Sequence, residues 1–243
     1  MFLNDAYLEM TKSWICNAKS LIPDVLKYVI FITTSESLSL LLQSWNPDVQ
    51  VFAHAYSVSK AVSYGTYEYF RLTEERLLVQ NDLIQNEVNV MVIESDAIWN
   101  SKYINDFLRL QFKTCDIVSA DDTGKHLISA GFLGIRSTDA TRDLFKLYVE
   151  TYSNKLEAHK GHKGIIGDIG EQHTMTPLLQ KSGLPVRWLN QCESSNGHWY
   201  QGVDTKCPVP MVIQNNWIIG NDAKIYRAKK FKQWFLDDQG LCR

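Results

Sequence analysis

An α/β sandwich with a mainly parallel central sheet is the fold class this sequence predicts, and three observations predict it. Short apolar runs such as "YVIFITT" (28–34) and "VMVI" (90–93) alternate with longer amphipathic stretches along the chain, the pattern of βαβ units. With 243 residues, 45% hydrophobic and 21% charged, the chain is long and apolar enough to bury a substantial core. Three strand ends carry polar or acidic residues, Thr33-Thr34, Glu94-Ser95-Asp96 and Ser119-Ala120-Asp121, where open α/β sheets bind ligands. No repeat, low-complexity tract or linker interrupts the pattern, so residues 1–243 read as one domain.

Residues 4–20 have helical spacing of Tyr7, Leu8 and Ile15. "YVIFITT" follows as a buried strand and "VQVFAH" (49–54) as a shorter one. A long helix is expected over 59–85, with Gly65 able to break its first part. The strand at 88–93 comes next, then "CDIVSADD" and "SAGFLGIRS". Thr138 or Asp139 caps a helix that runs through Leu144, Leu147 and Tyr148. "HKGHKGIIGDIG" is a glycine-containing loop, and "EQHTMTPLLQKSG" is a helix stopping near Gly183. "VRWL" and "MVIQ" are short strands, "SSNGHWY" (194–200) is a flexible loop, and the tail is expected to be helical around Trp234.

A net charge of −2 excludes the broad basic field of non-specific nucleic-acid binders. The one basic cluster, "KIYRAKKFK" (224–232), reads as a solvated face with Tyr226 and Phe231 turned inward, with a phosphate-facing member left open. Five cysteines without CxxC spacing give no zinc or thioredoxin-like site; Cys192 and Cys207 could form a disulfide if the protein lives in an oxidising lumen, and an odd number cannot all pair internally. No run of 18 apolar residues and no secretory leader are visible, so no membrane segment is expected in this chain. The absence of a GxxxxGK[ST] loop disfavours a phosphotransferase.

The chemistry concentrates in "NVMVIESDAIWN" (89–100), a core strand ending on two carboxylates. Extended backbone through Ser95 would point Glu94 and Asp96 the same way, and their repulsion then calls for a cation between them. Hard oxygen ligands suit Mg²⁺ or Mn²⁺. The competing reading makes Glu94 a strand-end surface residue and Asp96 the cap of a following helix.

"VMVIESDAIW", "DIVSADD", "SAGFLGIRSTDATRDLF", "GEQHTMTPLL" and "VIQNNWIIGNDAKIYRAKKFKQWF", in this order, resemble the nucleotide-diphospho-sugar transferase family, whose plant members include rhamnogalacturonan xylosyltransferases and extensin arabinosyltransferases. The resemblance implies a GT-A-like three-layer sandwich, a divalent metal (Mn²⁺ or Mg²⁺) and retaining transfer from a nucleotide-sugar donor, a UDP-sugar with UDP-xylose as one candidate, to a glycan or glycoprotein. It also implies the Golgi lumen, although nothing in the visible sequence excludes the cytoplasm.

The family's Asp-X-Asp metal motif falls on Glu94, Ser95 and Asp96, and its C-terminal metal-ligating His falls on Gln214. The resemblance thus makes Asp96, Glu94 and Gln214 the metal set, with a longer arm at Glu94 and a neutral ligand at Gln214. Lys224, four residues after Gly220, matches the position facing the diphosphate; alone it reads as a surface lysine. Gly131 and Phe132 match the segment beside the donor sugar, and Thr33, Lys60 and Arg76 complete the donor side. For Lys60 and Arg76 a solvated helical face competes. Glu171 and Gln172 fall on the family's Asp-Gln pair, implying a catalytic role against that of a helix-start acid. His198, Trp199 and Tyr200 offer an acceptor platform, or pack their loop onto the core. A degenerate GT-A fold that binds nucleotide or glycan without turnover is the alternative function.

Overall fold

The computed structural model describes residues 1–54, 62–121, 126–167, 169–202 and 207–243. In chain order these form β1 (Phe2–Leu3), α1 (Leu8–Leu21), β2 (Ile30–Thr33), α2 (Glu36–Trp45), β3 (Gln50–Ala53), α3 (Tyr67–Gln85), β4 (Val90–Ile93) and β5 (Ala97–Trp99). There follow α4 (Ile104–Gln111), β6 (Ile117–Asp121), β7 (Ile128–Ile135), α5 (Asp139–Glu157), α6 (Glu171–Ser182), β8 (Val186–Leu189), β9 (Ser194–Ser195), β10 (Val212–Gln214) and α7 (Asn221–Lys230). Strands and helices alternate as expected of an α/β chain. Parallel pairings join β1 to β2, β2 to β3, β9 to β10 and β6 to β8, and antiparallel ones join β5 to β10 and β6 to β7, with β4 beside β7.

The chain divides into two compact units. The first comprises Met1–Ala61, Ile93–Ile104 and Asn190–Arg243, and holds the sheets β1-β2-β3 and β5-β10-β9. Its centre is Trp14 on α1, fully buried edge-on against Phe31 and Trp99, with ring centroids 6.1 and 5.2 Å away. Asn17, one turn on, donates from its amide to the Trp99 carbonyl (2.9 Å) and accepts the Trp99 N–H (2.8 Å). A buried strand edge cannot leave those groups unmade, so α1 both covers β5 and completes its hydrogen bonding. Cys16 is disulfide-bonded to Cys242, tying the end of the chain to α1.

The second unit comprises Val62–Val92 and Asn105–Leu189, with the sheet β4-β7-β6-β8. Here α3, α5 and α6 supply an apolar layer in which Phe70, Leu77, Phe145, Tyr148, Tyr152 and Met175 are buried together. Helix α5 starts at a reciprocal cap between Thr138 and Thr141.

Four expectations are corrected. The helix expected from residue 59 begins only at Tyr67, because Gly65 takes φ +82, and residues 55–61 lie outside the described set. Trp234 is not in a helix. Helix α7 ends at Lys230, Lys232 turns through φ +59, and Trp234 and Leu236 leave the helical path to pack with Met10 and Ala228. The "SSNGHWY" segment is ordered as β9 and a 3₁₀ turn over Gly197–Gln201, whose Asn196 side chain accepts from the His198 N–H. Cys192 and Cys207 are not joined to each other in a disulfide.

Candidate functional site

Between β4 and β5 the chain makes a tight turn rather than staying extended: the Ala97 N–H donates to the Glu94 carbonyl at 3.1 Å. No helix follows Asp96; β5 does, so Asp96 is not a helix cap. The Asn215 N–H, just past β10, donates to the Asp96 carbonyl (3.0 Å), and Gln214 stands opposite Ala97 in the β5–β10 ladder. The antiparallel register therefore places the Glu94-Ser95-Asp96 turn against the strand end that carries Gln214.

A cation does meet the carboxylates, and it comes from this chain. The Lys224 Nζ lies 2.5 Å from Asp96 Oδ2, with the Asp96 side chain 4% exposed and that of Lys224 17%. Burial pulls the Lys224 pKa down, but Asp96 and Glu94 more than offset this, and the net shift is upward. Lys224 stays charged at neutral pH. It reaches Asp96 from the first turns of α7, whose N-cap Gly220 has φ +95 and whose Lys224 carbonyl accepts from the Asn215 side chain at 2.9 Å. Ser95, Asp96, Asn215 and Lys224 line one cavity.

The expected ligands, the Glu94 and Asp96 carboxylates and the amide oxygen of Gln214, are hard oxygen donors of the kind Mg²⁺ and Mn²⁺ accept, with water and phosphate oxygens completing the shell. They fit such an ion in chemistry. Among the described residues no group of three or more His, Cys, Asp or Glu side chains gathers to hold a metal, so Gln214 and external oxygens would be needed. Lys224 would share Asp96 with the ion. Gln214 is 3% exposed, and its amide reaches Ser194 Oγ at 3.5 Å.

Arg227, one turn beyond Lys224, is the residue sequence reasoning missed. Its guanidinium lies 4.4 Å from the Tyr200 ring, donates to Asn215 Oδ1 (2.6 Å), and bonds the Asn216 carbonyl. In "KIYRAKKFK" Phe231 packs inward as expected, against Trp199 and Tyr200, but Arg227 is 8% exposed while Tyr226 stands 71% exposed, the reverse of the expectation for that pair. The helical spacing held the signal, since Lys224 and Arg227 are three apart and share a face. Tyr200 is buried, its hydroxyl donates to Gln233, and burial raises its pKa. Trp199 packs against Tyr200 and Phe231. The third of these aromatics, His198, instead meets the Trp217 ring, with centroids 4.5 Å apart. Trp217 is a non-glycine residue at φ +57, a conformation that costs about 1–3 kcal/mol.

In the second unit Glu171 opens α6, with its side chain 9% exposed. Arg76 grips both carboxylate oxygens, Nε to Oε1 at 3.1 Å and Nη2 to Oε2. Arg76 is therefore no solvated helical residue. The Tyr148 hydroxyl donates to the Glu171 carbonyl (3.3 Å), and burial, with Glu171 nearby, raises its pKa. Glu171, Gln172, His173, Tyr64, Tyr69 and Thr73 border a cavity. Gln172 donates its amide to the Ile128 carbonyl at 2.8 Å.

The remaining expected residues divide by burial. Thr33 is sealed, its hydroxyl bonded to Ser39 Oγ and the Ser35 carbonyl at the start of α2, so its side chain serves that turn. Phe132 is 0% exposed and Gly131 is buried beside it in β7. Their alternation in the strand turns Phe132 into the core. Lys60 lies outside the described residues.

Known proteins share this fold. The fold resembles that of the glycosyltransferase GlyE of Streptococcus pneumoniae TIGR4, with TM-score 0.54 at 12% identity over 97% of this chain and 59% of that one. It also resembles a glycosyltransferase involved in glycosylating the major capsid of PBCV-1, with TM-score 0.51 at 9% identity over 93% and 92% of the two chains. These likenesses carry the GT-A fold. In sequence, UDP-D-xylose:L-fucose alpha-1,3-D-xylosyltransferase 3 of Arabidopsis thaliana is 21% identical over 88% of this chain. A second Arabidopsis UDP-D-xylose:L-fucose alpha-1,3-D-xylosyltransferase is 22% identical over 82% of it. The chain spans 60% and 59% of the lengths of these curated relatives. The nucleotide-diphospho-sugar transferase profile matches residues 25–228, a span that contains the acidic turn, its lysine and the Arg76–Glu171 pair, and the chain belongs to that family.

Proposed function

We propose that this chain transfers a sugar from a nucleotide-diphosphate donor, a UDP-sugar with UDP-xylose as the first candidate, to a glycan or glycoprotein acceptor with retention of anomeric configuration. The observation that carries the reading is the Lys224 ammonium seated on Asp96 at the Glu94–Asp96 turn. The relatives' names supply the donor sugar. The family match runs through both compact units, which supports reading residues 1–243 as one transferase domain.

Breaking the bond between the anomeric carbon and the β-phosphate oxygen leaves negative charge on that oxygen. Lys224 is a mobile point charge on a four-carbon stem, held ready by Asp96, and donates to the leaving phosphate. A Mg²⁺ or Mn²⁺ ion held by Asp96, Glu94 and Gln214 would add charge neutralisation on the diphosphate. Asp96 keeps Lys224 protonated, Gly220 opens the helix that carries it, and Arg227 fixes the Asn215–Asn216 backbone beside it. Glu171, held by Arg76, presents a carboxylate that would orient the acceptor hydroxyl or face the positive charge developing at the anomeric carbon, with Gln172 next to it. The Cys16–Cys242 disulfide supports maturation in an oxidising lumen such as the Golgi. Among the described residues no helix is long and apolar enough to cross a membrane.

The test is incubation with a panel of UDP-sugars, with and without Mn²⁺, following UDP release. One UDP-sugar is expected to be consumed, with turnover lowered about 100-fold or more in Lys224→Met. The glutamate and the amide at Glu94 and Gln214 favour a second reading, a nucleotide- or glycan-binding module without turnover. Saturable UDP binding with no UDP release from any donor would select it.

A further inference from the structure

We infer that Trp217 and His198 form a stacking platform for a pyranose ring of the acceptor, a role not filled by Trp199 or Tyr200. The inference rests on the transferase reading for the word acceptor, but its geometry stands apart from the donor site. Trp217 is 49% exposed and Ile219 81% exposed, in the loop between β10 and α7. The His198 ring meets the Trp217 ring at 4.5 Å and 36°, so together they present a broad, slightly bent aromatic face. Sugars bind such faces through their apolar C–H surfaces while polar groups at the rim take the hydroxyls. His198 Nδ1 and Gln201 Oε1, 3.3 Å apart at the rim, are groups of that kind.

The backbone is built to hold this face in place. Trp217 takes φ +57, a conformation a bulky side chain rarely adopts. It is over-determined from three directions. Gly197 passes so close that an added Cβ would lie 1.9 Å from the Asn216 carbonyl oxygen, and its N–H donates to Asn216 Oδ1 at 2.6 Å. Arg227 bonds the Asn216 carbonyl, and Asn215 is fixed to Asp96 through its N–H and to Lys224 through its side chain. Glycine would occupy φ +57 without strain, yet the chain places its largest side chain there and leaves half of it exposed. Strain kept at an exposed aromatic points to a ligand. Two peptide links separate Trp217 from Asn215, so its Cα lies within about 8 Å of the residue that bonds Asp96. A sugar on this face would therefore stand beside the diphosphate-binding turn.

The test uses the whole chain labelled with ¹⁵N at the tryptophan indoles, Trp217 being assigned by Trp217→Phe. The probes are methyl α-L-fucopyranoside, methyl β-D-xylopyranoside and methyl β-D-galactopyranoside, with glycerol as control and UDP as a separate titration. The Trp217 indole is expected to shift with at least one pyranoside and not with glycerol. Trp217→Gly should lose that pyranoside's saturation-transfer signal while keeping or raising the melting temperature, because a packing residue would destabilise on truncation and a strained binding residue would not. The inference is overturned if no pyranoside moves Trp217, if UDP alone moves it, or if Trp217→Gly lowers the melting temperature markedly. Pyranoside binding without UDP-sugar turnover would uphold the platform and defeat the transferase reading; turnover with a silent Trp217 would do the reverse.

Discussion

Two charged pairs, one in each compact unit, differ in the way that matters for chemistry. Lys224 touches Asp96 through one atom, and its side chain keeps 17% exposure beside a cavity. Arg76 holds Glu171 through two hydrogen bonds from a rigid fork, with Tyr148 on the Glu171 carbonyl behind it. An ammonium on a flexible stem can be passed to an incoming phosphate; a bidentate guanidinium fixes a carboxylate in one orientation. Both pairs are largely buried, so burial alone does not separate them; the proposed transfer assigns the single-atom contact to the leaving phosphate and the two-atom grip to holding Glu171 in place.

The largest effect expected from breaking this symmetry is on turnover. Lys224→Met should lower UDP-sugar turnover about 100-fold or more and also destabilise the fold, since Asp96 loses its partner. Adding Asp96→Asn should restore the melting temperature without restoring turnover. Equal turnover in Lys224→Met would remove the lysine from the chemistry. Glu171→Gln should act differently, costing about 3 kcal/mol of stability in denaturant unfolding because Arg76 loses a buried anion, while leaving UDP affinity in place. A Glu171→Gln protein as stable as wild type would show that the fork carries little.

The α/β class and the Glu94–Asp96 carboxylate pair were legible because each is local: alternation marks strands, and two carboxylates close an apolar run. Lys224 came only through the family resemblance, and the turn at Ser95 stood against the extended backbone expected there. The sequence could not show that Arg76 and Glu171 meet, since 95 residues separate them and the packing of both α3 and α6 on α5 brings them together. Arg227 was hidden inside a basic run whose charge suggested solvent, although helical spacing put it on the same face as Lys224. The Cys16–Cys242 bridge was equally invisible, because five dispersed cysteines permit many pairings. Trp217 required its backbone angle and its exposure, neither of which residue type reveals.

Smaller effects sharpen the same comparison. Cys242→Ser should cost about 2–4 kcal/mol, measured by thermal unfolding under non-reducing conditions, and reductant should have no further effect on that variant. The pH response should be weaker still. The Lys224 pKa is raised above its ordinary value of 10.5, so its contribution to stability is complete below that value and is lost as pH rises through the folded one. From pH 6 to 9 the melting-temperature difference between wild type and the Lys224→Met/Asp96→Asn double variant should stay flat. A decline in that range would mean that Lys224 deprotonates far too easily for the described pair.

The most direct measurement is the thermal shift produced by UDP on wild type, on Lys224→Met/Asp96→Asn and on Glu171→Gln, each with and without Mn²⁺. Ligand at about 100 times its dissociation constant stabilises the native state by about 2.7 kcal/mol. A clear shift is expected in wild type and Glu171→Gln, enlarged by Mn²⁺, and little or none in the double variant. A double variant that responds to UDP like wild type would contradict the assignment of the Glu94–Asp96 turn and Lys224 to the donor diphosphate.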